Sequence, residues 1–334
     1  MRYRIKNLLS VLVVAVVALV VIFTTGCSGN RFASQPVPVI FDTDIGTDVD
    51  DAGALAILHI MADRGEAKIL AAISANKNRS SAPAIDVINT YYGRADIPIG
   101  SSRTGPDPEI WYHASVPNYP HDLKSGDDAP EAISLYRQIL AAQPDNSVVI
   151  VTVGWLTNMA DLLNSRPDQY SPLDGKQLVA AKVKELVSMG GTWPNSAGEG
   201  EYNFHMDGSA AHKMISDWPG KIMFTGLGKK VMTGGRLVAQ ADKDNPVSAF
   251  YKNFFKANKI SDRSSWDLIA VIYAVRGLGD YFDVVSNGYA VADEKGSTKW
   301  LAGDAKDHSY LEYKMPQAEL AKVIEDLLLV PPKR

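Results

Sequence analysis

From residue 37 onward, short runs of consecutive apolar residues alternate with longer stretches whose apolar positions recur every three or four residues. The first kind reads as strands buried on both faces, the second as amphipathic helices. Strands are expected at PVPVIFD (36–42), AKILAAIS (67–74), SVVIVTVG (147–154), VKELVSMGG (183–191, ending in a glycine turn) and KIMFTGL (221–227), with a short one at IPIG (97–100). Helices are expected at DAGALAILHIMADRG (51–65), APAIDVINTYYG (82–93), PEAISLYRQILAAQ (130–143), LTNMADLL (156–163), DGSAAHKMI (207–215), SAFYKNFFKAN (248–258), SSWDLIAVIYAVRG (264–277) and ELAKVIEDLLLV (319–330). Pro130 suits a first helical position, and Gly65 a helix end. A Pro-rich, aromatic stretch from about residue 105 to 127 interrupts the alternation. The pattern predicts an α/β fold: a mainly parallel, doubly wound, Rossmann-like sheet with helices on both faces. Ligands of such sheets sit outside the carboxyl ends of the strands. The turns after VIF (39–41), VTVG (151–154) and SMGG (188–191) all fall there, which makes one shared site the natural expectation.

The N-terminus departs from this pattern. Three cations (Arg2, Arg4, Lys6) precede sixteen mostly apolar residues, Leu8 to Phe23, and then Thr24-Thr25-Gly26-Cys27. A charged segment, an apolar run and small residues describe an export signal. An uncleaved membrane anchor is the competing reading, but it wants about 20 apolar residues. Thr24–Cys27 resembles a bacterial lipobox, with Thr24 where Leu is more usual. The expected organisation is a signal peptide over 1–27 with lipidation at Cys27, a small polar tether over 28–36 (SGNRFASQP), and one domain over 37–334. The protein is then expected in the bacterial cell envelope, lipid-anchored to a membrane. Cys27 is the only cysteine, so the chain forms no internal disulfide. Net charge is −4 and the basic residues are scattered, which excludes a nucleic-acid footprint. Association into a homo-oligomer stays open.

The stretch VIFDTDIGTDVDDAGAL (39–55) crowds Asp42, Asp44, Asp48, Asp50 and Asp51 between two apolar runs. Two carboxylates about 6 Å apart at an effective dielectric near 20 repel by about 3 kcal/mol. Helix N-terminal amides offset only about 1 kcal/mol. So some of these acids are protonated, or several face solvent, or a cation sits among them. Asp42 and Asp44 come straight off a buried strand, which disfavours a merely solvated loop. A hard divalent cation with oxygen ligands fits better. An EF-hand does not, because His59 stands where its twelfth-position Glu belongs. GLGKK (226–230) lacks Walker spacing and reads as a turn. Asp42-Thr43-Asp44 also looks like the nucleophile and acid of haloacid-dehalogenase-type phosphatases. That family, however, expects Thr or Val at Gly46, and its second metal motif has only Gly279-Asp280…Asp283 as a lookalike.

Four separated pieces resemble the inosine-uridine-preferring nucleoside hydrolases. They are Asp42-Thr43-Asp44-Ile45-Gly46…Asp50-Asp51-Ala52, Val153-Gly154-Trp155-Leu156-Thr157-Asn158, Asn195…Glu201-Tyr202-Asn203…Asp207, and Trp266-Asp267 at the head of a late helix. Their order and spacing agree from about residue 38 to 328. The resemblance implies that family's fold and Ca²⁺-dependent hydrolysis of a small ribonucleoside to base and ribose. It implies Ca²⁺ held by Asp44, Asp51, Asp267 and the Val153 carbonyl, with Asp44 also the general base for the metal-bound water. Asp50 and Asn76 would hold the 2′- and 3′-hydroxyls, Asn203 the 3′ side, and Asn195 and Glu201 the 5′-hydroxyl. Asp42 would support the loop. Carboxylates near the ribose stabilise the oxocarbenium charge that develops as an N-glycosidic bond breaks.

Two departures stand out. The aspartate loop is two residues longer than in typical members, with Ile45 in place of Pro, which leaves Asp48 unassigned and Asp48 and Asp50 interchangeable. Trp266 occupies the position of a His that protonates the leaving base, and it is expected to stack on that base instead. His113, His121 and His205 are the remaining candidates for a proton donor; His59, His212 and His308 read as packing, surface or structural residues. A catalytically silent nucleoside- or sugar-binding lipoprotein is the alternative of a different class, since the same contacts would serve capture.

Overall fold

The computed structural model describes residues 35–110, 113–191, 193 and 201–333; the export signal, Cys27 and Asn195 lie outside them. Strand β1 (Val37–Thr43) sets the plan, because its successive side chains go to opposite faces. Val39 and Phe41 enter one apolar cluster and Ile40 the other. The same division runs through β2 (Ala67–Ser74), β4 (Val148–Thr152), β5 (Val183–Ser188) and β6 (Ile222–Phe224). With β3 (Ile99–Ser101), β9 (Phe282–Val285) and β12 (His308–Tyr313) they form an eight-stranded sheet in the order β3-β2-β1-β4-β5-β6-β12-β9. Every pair is parallel except β9 with β12. Two short ribbons lie beside it, β7 (Met232–Thr233) with β8 (Arg263–Ser264) and β10 (Gly288–Ala292) with β11 (Thr298–Ala302).

Helices cover both faces. Asp50–Asp63, Ser81–Tyr91, Pro246–Asn258, Trp266–Arg276 and Gln317–Leu328 pack into the first cluster; Ala132–Ala141, Thr157–Asn164, Gly175–Lys182 and Gly208–Asp217 into the second. Helix Asp50–Asp63 is buried along almost its whole length, aspartates included, and packs against Trp266–Arg276. His59 in its interior bonds Asn89 Oδ1 at 2.9 Å and stacks on Tyr92; burial pushes it down to about 3, so it stays neutral. The chain leaves β1 toward β2 on one side and returns to β4 on the other. The crevice between the carboxyl ends of β1 and β4 is therefore the switch point where such folds bind ligands.

The expected strands and helices up to residue 277 recur with shifts of a residue or two, except that β6 stops at Phe224, three residues short of the expected 227, and with one difference of detail. Pro130 stands ahead of its helix, because the Glu131 carboxylate takes the amides of Ile133 and Ser134 and is itself the cap. Strands β7 to β12 and the helices Gly175–Lys182, Tyr202–Met206 and Gly235–Gln240 carry no comparable periodic signal. β12 is the most consequential: its buried His308 and Ser309 break the apolar run by which a strand inside a sheet is recognised.

Arg137 of helix Ala132–Ala141 is buried and ties down the connection between helices Thr157–Asn164 and Gly175–Lys182. It bonds Asp168 twice and also reaches Ser165 Oγ and the Ser171 and Leu173 carbonyls. Arg137→Met should cost about 1–3 kcal/mol, since it leaves the Leu173 carbonyl without its donor, while Asp168 keeps the Tyr170 and Ser171 amides. Denaturant unfolding measures this, and a loss below about 1 kcal/mol would show that the network is dispensable.

Candidate active site

Asp42 ends its strand as an anchor. Its carboxylate accepts from Tyr136 Oη at 2.9 Å, Asn158 Nδ2 at 2.8 Å and Thr152 Oγ1 at 3.3 Å. Burial still pushes it up to about 7. Two residues on, Asp44 reaches the crevice, with Thr47 Oγ1 donating to its Oδ2 at 3.0 Å. The turn after β4 crosses directly over it: a Cβ on Gly154 would lie 2.4 Å from the Asp44 amide nitrogen, so only glycine permits the crossing. Asp50 and Asp51 stand in the first turn of their helix, and Thr43 Oγ1 bonds Asp51 Oδ1. Asp267 arrives from the first turn of helix Trp266–Arg276. Asp50 Oδ2 accepts the amides of Trp266 and Asp267 at 3.1 and 3.3 Å, which fastens the two helix starts together. A Cβ on Gly228 would lie 2.5 Å from Trp266 Cα, so the turn after β6 closes over the same helix start.

Asp50, Asp51 and Asp267 are all buried and offer carboxylate oxygens within 4.8 Å of one another. Loss of solvent first, then the charges of their neighbours, holds all three well above the ordinary carboxylate range. Asp44 rises to about 7 for the same reasons. An all-oxygen, doubly or triply charged, dry cluster is the donor set of a hard divalent cation, and the residues fit one.

These residues line a cleft of about 580 Å³ together with Val153, Glu201, Asn203, Arg263 and Trp266. Val153 offers its carbonyl at the carboxyl end of β4; one lone pair accepts from Asn203 Nδ2 at 2.8 Å. Glu201 caps helix Tyr202–Met206 through the amides of Asn203 and Phe204. Loss of solvent pushes Glu201 up to about 7. Asp207, at the foot of that helix, accepts from Thr157 Oγ1 at 2.5 Å and caps the next one through the Ala210 amide.

Of the residues singled out in the sequence, the cleft thus gathers Asp44, Asp50, Asp51, Val153, Glu201, Asn203, Trp266 and Asp267. Asn76 is not among its lining residues. Its carboxamide is spent on the loops, accepting from Ser81 Oγ at 2.8 Å and the Asn78 amide at 3.0 Å. His121 and His205 do not line it either; their ring nitrogens meet the carbonyls of Tyr119 and Lys295. The side chain of His113 lies outside the described residues. Asp280, the phosphatase lookalike, is 93% exposed beside Lys314 and takes no part.

The longer loop resolves Asp48 from Asp50. Asp48 also lines the cleft but receives the Arg263 guanidinium, while Asp50 stays within the cluster. Arg263, Tyr202, Phe254 and Asn258 also line the cleft, and sequence reasoning passes over them. Tyr202 stands between Glu201 and Asn203 of the third motif, and the other three carry no local signal.

A switch-point crevice with a carboxylate cluster and hydroxyl-directed polar groups defines a small-molecule site on an α/β sheet. The profile of the family described as inosine-uridine preferring nucleoside hydrolase matches residues 39–321, and the chain belongs to that family, whose members depend on a metal. An inosine-uridine preferring nucleoside hydrolase of Leishmania major is 24% identical over 197 residues, 55% of this chain. That match spans 58% of the Leishmania protein. A plant nucleoside hydrolase superposes with a TM-score of 0.65 at 20% identity, over 89% of this chain and 100% of that one. An inosine-uridine preferring nucleoside hydrolase from Bacillus anthracis gives 0.65 at 18% identity, over 87% and 99%.

Raised carboxylates mean that the metal-free folded state holds more protons than the unfolded chain across the window above the ordinary carboxylate range. Their contribution to stability is present at low pH and lost as pH rises through the folded values. The melting temperature of chelated protein should therefore fall between about pH 5 and pH 8, and excess divalent cation should remove most of the fall. A chelated protein that grows more stable across that window would contradict the cluster's electrostatics.

Proposed function

We propose that the protein hydrolyses the N-glycosidic bond of ribonucleosides in a Ca²⁺-dependent reaction, releasing base and ribose. The observation that carries this is the convergence, in one dry cleft, of four carboxylates with Glu201 and Asn203. Family membership supports the same reaction. Asp44, Asp51, Asp267 and the Val153 carbonyl would hold the cation, with Asp50 close enough to share it. When bound, the cation supplies positive charge that polarises water and orients vicinal hydroxyls.

The chain's own groups do the rest. Asp50 and Asn203 hold the ribose hydroxyls, and Glu201 takes the 5′ end. Such polar contacts reject a substrate that lacks the matching hydroxyl. Asp44, oriented through Oδ2 by Thr47, accepts the proton of the attacking water on Oδ1. The carbon–nitrogen bond breaks with its electron pair leaving on the base, and the surrounding carboxylates stabilise the positive charge on the sugar. The product base takes its proton from solvent. Trp266 offers a flat apolar face near the leaving base, where a stacked base is worth about 1–3 kcal/mol in other settings.

Chain lacking residues 1–27 should release free ribose from a panel of nucleosides in calcium and lose that activity on chelation. Asp51→Asn should lower metal content and turnover together. Nucleoside binding without ribose release from any member of the panel would instead make the protein a binder. The export signal and lone cysteine further support a lipid-anchored envelope protein. On that reading Cys27→Ser abolishes lipid labelling, and an unchanged label would refute it.

A further inference from the structure

We propose that Arg263 is the group that stabilises the departing nucleobase, and that Asp48 is the positioning residue that holds it there. The inference rests on the hydrolase reading above and supplies what that reading leaves open, a counterpart for the leaving group. Leaving-group assistance needs a donor aimed into the cleft. Among the described residues no histidine lines it, the side chain of His113 lying outside them, and the indole of Trp266 cannot release a proton at neutral pH.

Arg263 is held at every point except one. Its backbone pairs with Thr233 in the β7–β8 ribbon. Its Nε donates to both carboxylate oxygens of Asp48 at 3.0 Å, and its Nη2 bonds Oδ2. Its guanidinium lies 4.9 Å from the Trp266 ring centroid and 5.5 Å from that of Phe254. A paired, stacked guanidinium is a rigid fork. Its Nη1 has no hydrogen-bond acceptor among the described residues, and all four side chains line the cleft. The two extra residues of the aspartate loop thus bring Asp48 to Arg263, 215 positions away in the chain.

This arrangement suits a base that leaves as an anion. As the carbon–nitrogen bond breaks, the electron pair moves onto the ring nitrogen and its conjugated oxygens. Arg263 Nη1 donates to that developing charge but keeps its proton, since its pKa lies far above neutrality. Water then protonates the released base, which balances the proton surrendered to Asp44. With the guanidinium over one part of the indole, the base meets Trp266 and Arg263 as a single wall. Asp48 keeps the cation from swinging into the Asp50–Asp267 cluster, whose negative charge Arg263 feels.

The test compares a natural nucleoside, inosine, with 4-nitrophenyl β-D-riboside, whose leaving group needs no assistance. Arg263→Gln should lower kcat/KM for inosine about 100-fold, as loss of one such donor does elsewhere, yet change it less than about threefold for the aryl riboside. Arg263→Lys should restore part of the loss on inosine. Asp48→Asn, which leaves the guanidinium in place and loosens its hold, should show the same one-sided loss at smaller size. That variant keeps the question answerable if Arg263→Gln fails to melt as a folded protein. Equal losses on both substrates, or none on either, would reduce the pair to a structural clamp and overturn the proposal. A wild-type protein that cleaves only the aryl riboside also overturns it, because Arg263 then gives a natural base no help. Cleavage of neither substrate overturns the hydrolase reading itself.

Discussion

Mutual repulsion among buried carboxylates is the constraint on which this structure turns. Asp44, Asp50, Asp51 and Asp267 come from three segments, yet they are brought into one crevice with little solvent to screen them. Neighbours at such distances cost several kcal/mol per pair at interior dielectrics. The fold resists that force with positional devices. Glycine at 154 lets the β4 turn press on Asp44, Thr43 and Thr47 each orient one acid, and Asp50 grips the amides at the start of the facing helix. The result is a carboxylate-lined hole of fixed shape, whose internal repulsion a divalent cation would relieve.

Neutral and charged acids are divided around this hole by what they touch. Asp42 lies one turn of chain from Asp44 but behind the sheet's edge, among three donors that hold it for structure. Asp48 lies on the other side and is neutralised by an arginine. Two acids of the same motif are thereby kept out of the central cluster, Asp42 inside the sheet and Asp48 in an ion pair at the cleft wall. A motif of five aspartates is one functional cluster flanked by two fasteners.

The fold was legible where burial imposed a simple rhythm. β1, β2 and β4 carry unbroken apolar runs at 39–41, 69–73 and 148–151, and they read as central parallel strands from the sequence alone. The last helix, expected at 319–330, forms as Gln317–Leu328, but β9 to β12 were not legible, because they mix exposed, polar and aromatic residues and even the inner strand β12 is broken by His308 and Ser309. At the site, residues tied to local motifs were readable: Asp44, Asp51, Glu201 and Asn203 sit at fixed offsets from glycine or helix starts. Arg263 was not readable, since its role arises from a partner 215 residues away. Asn76 is placed beside the cleft's loops, not among its lining residues. A polar residue just past a strand end has the right address for a ligand, but Ser81 and the loop amide claim its oxygen first.

Asp50 and Asp48 reach across 217 and 215 positions to Asp267 and Arg263. The site therefore belongs to no segment of the chain. Its first half is finished when the N-terminal fifth has been made, but it acquires its last carboxylate and its cation-bearing wall only after some four-fifths of the polypeptide exists. Contacts of such separation form late and slowly. Before then the growing chain carries an acidic loop with no partner and no chemistry. The site is thus incomplete until helix Trp266–Arg276 is in place, and any chain broken off short of residue 263 lacks both the Arg263 guanidinium and the Asp267 carboxylate.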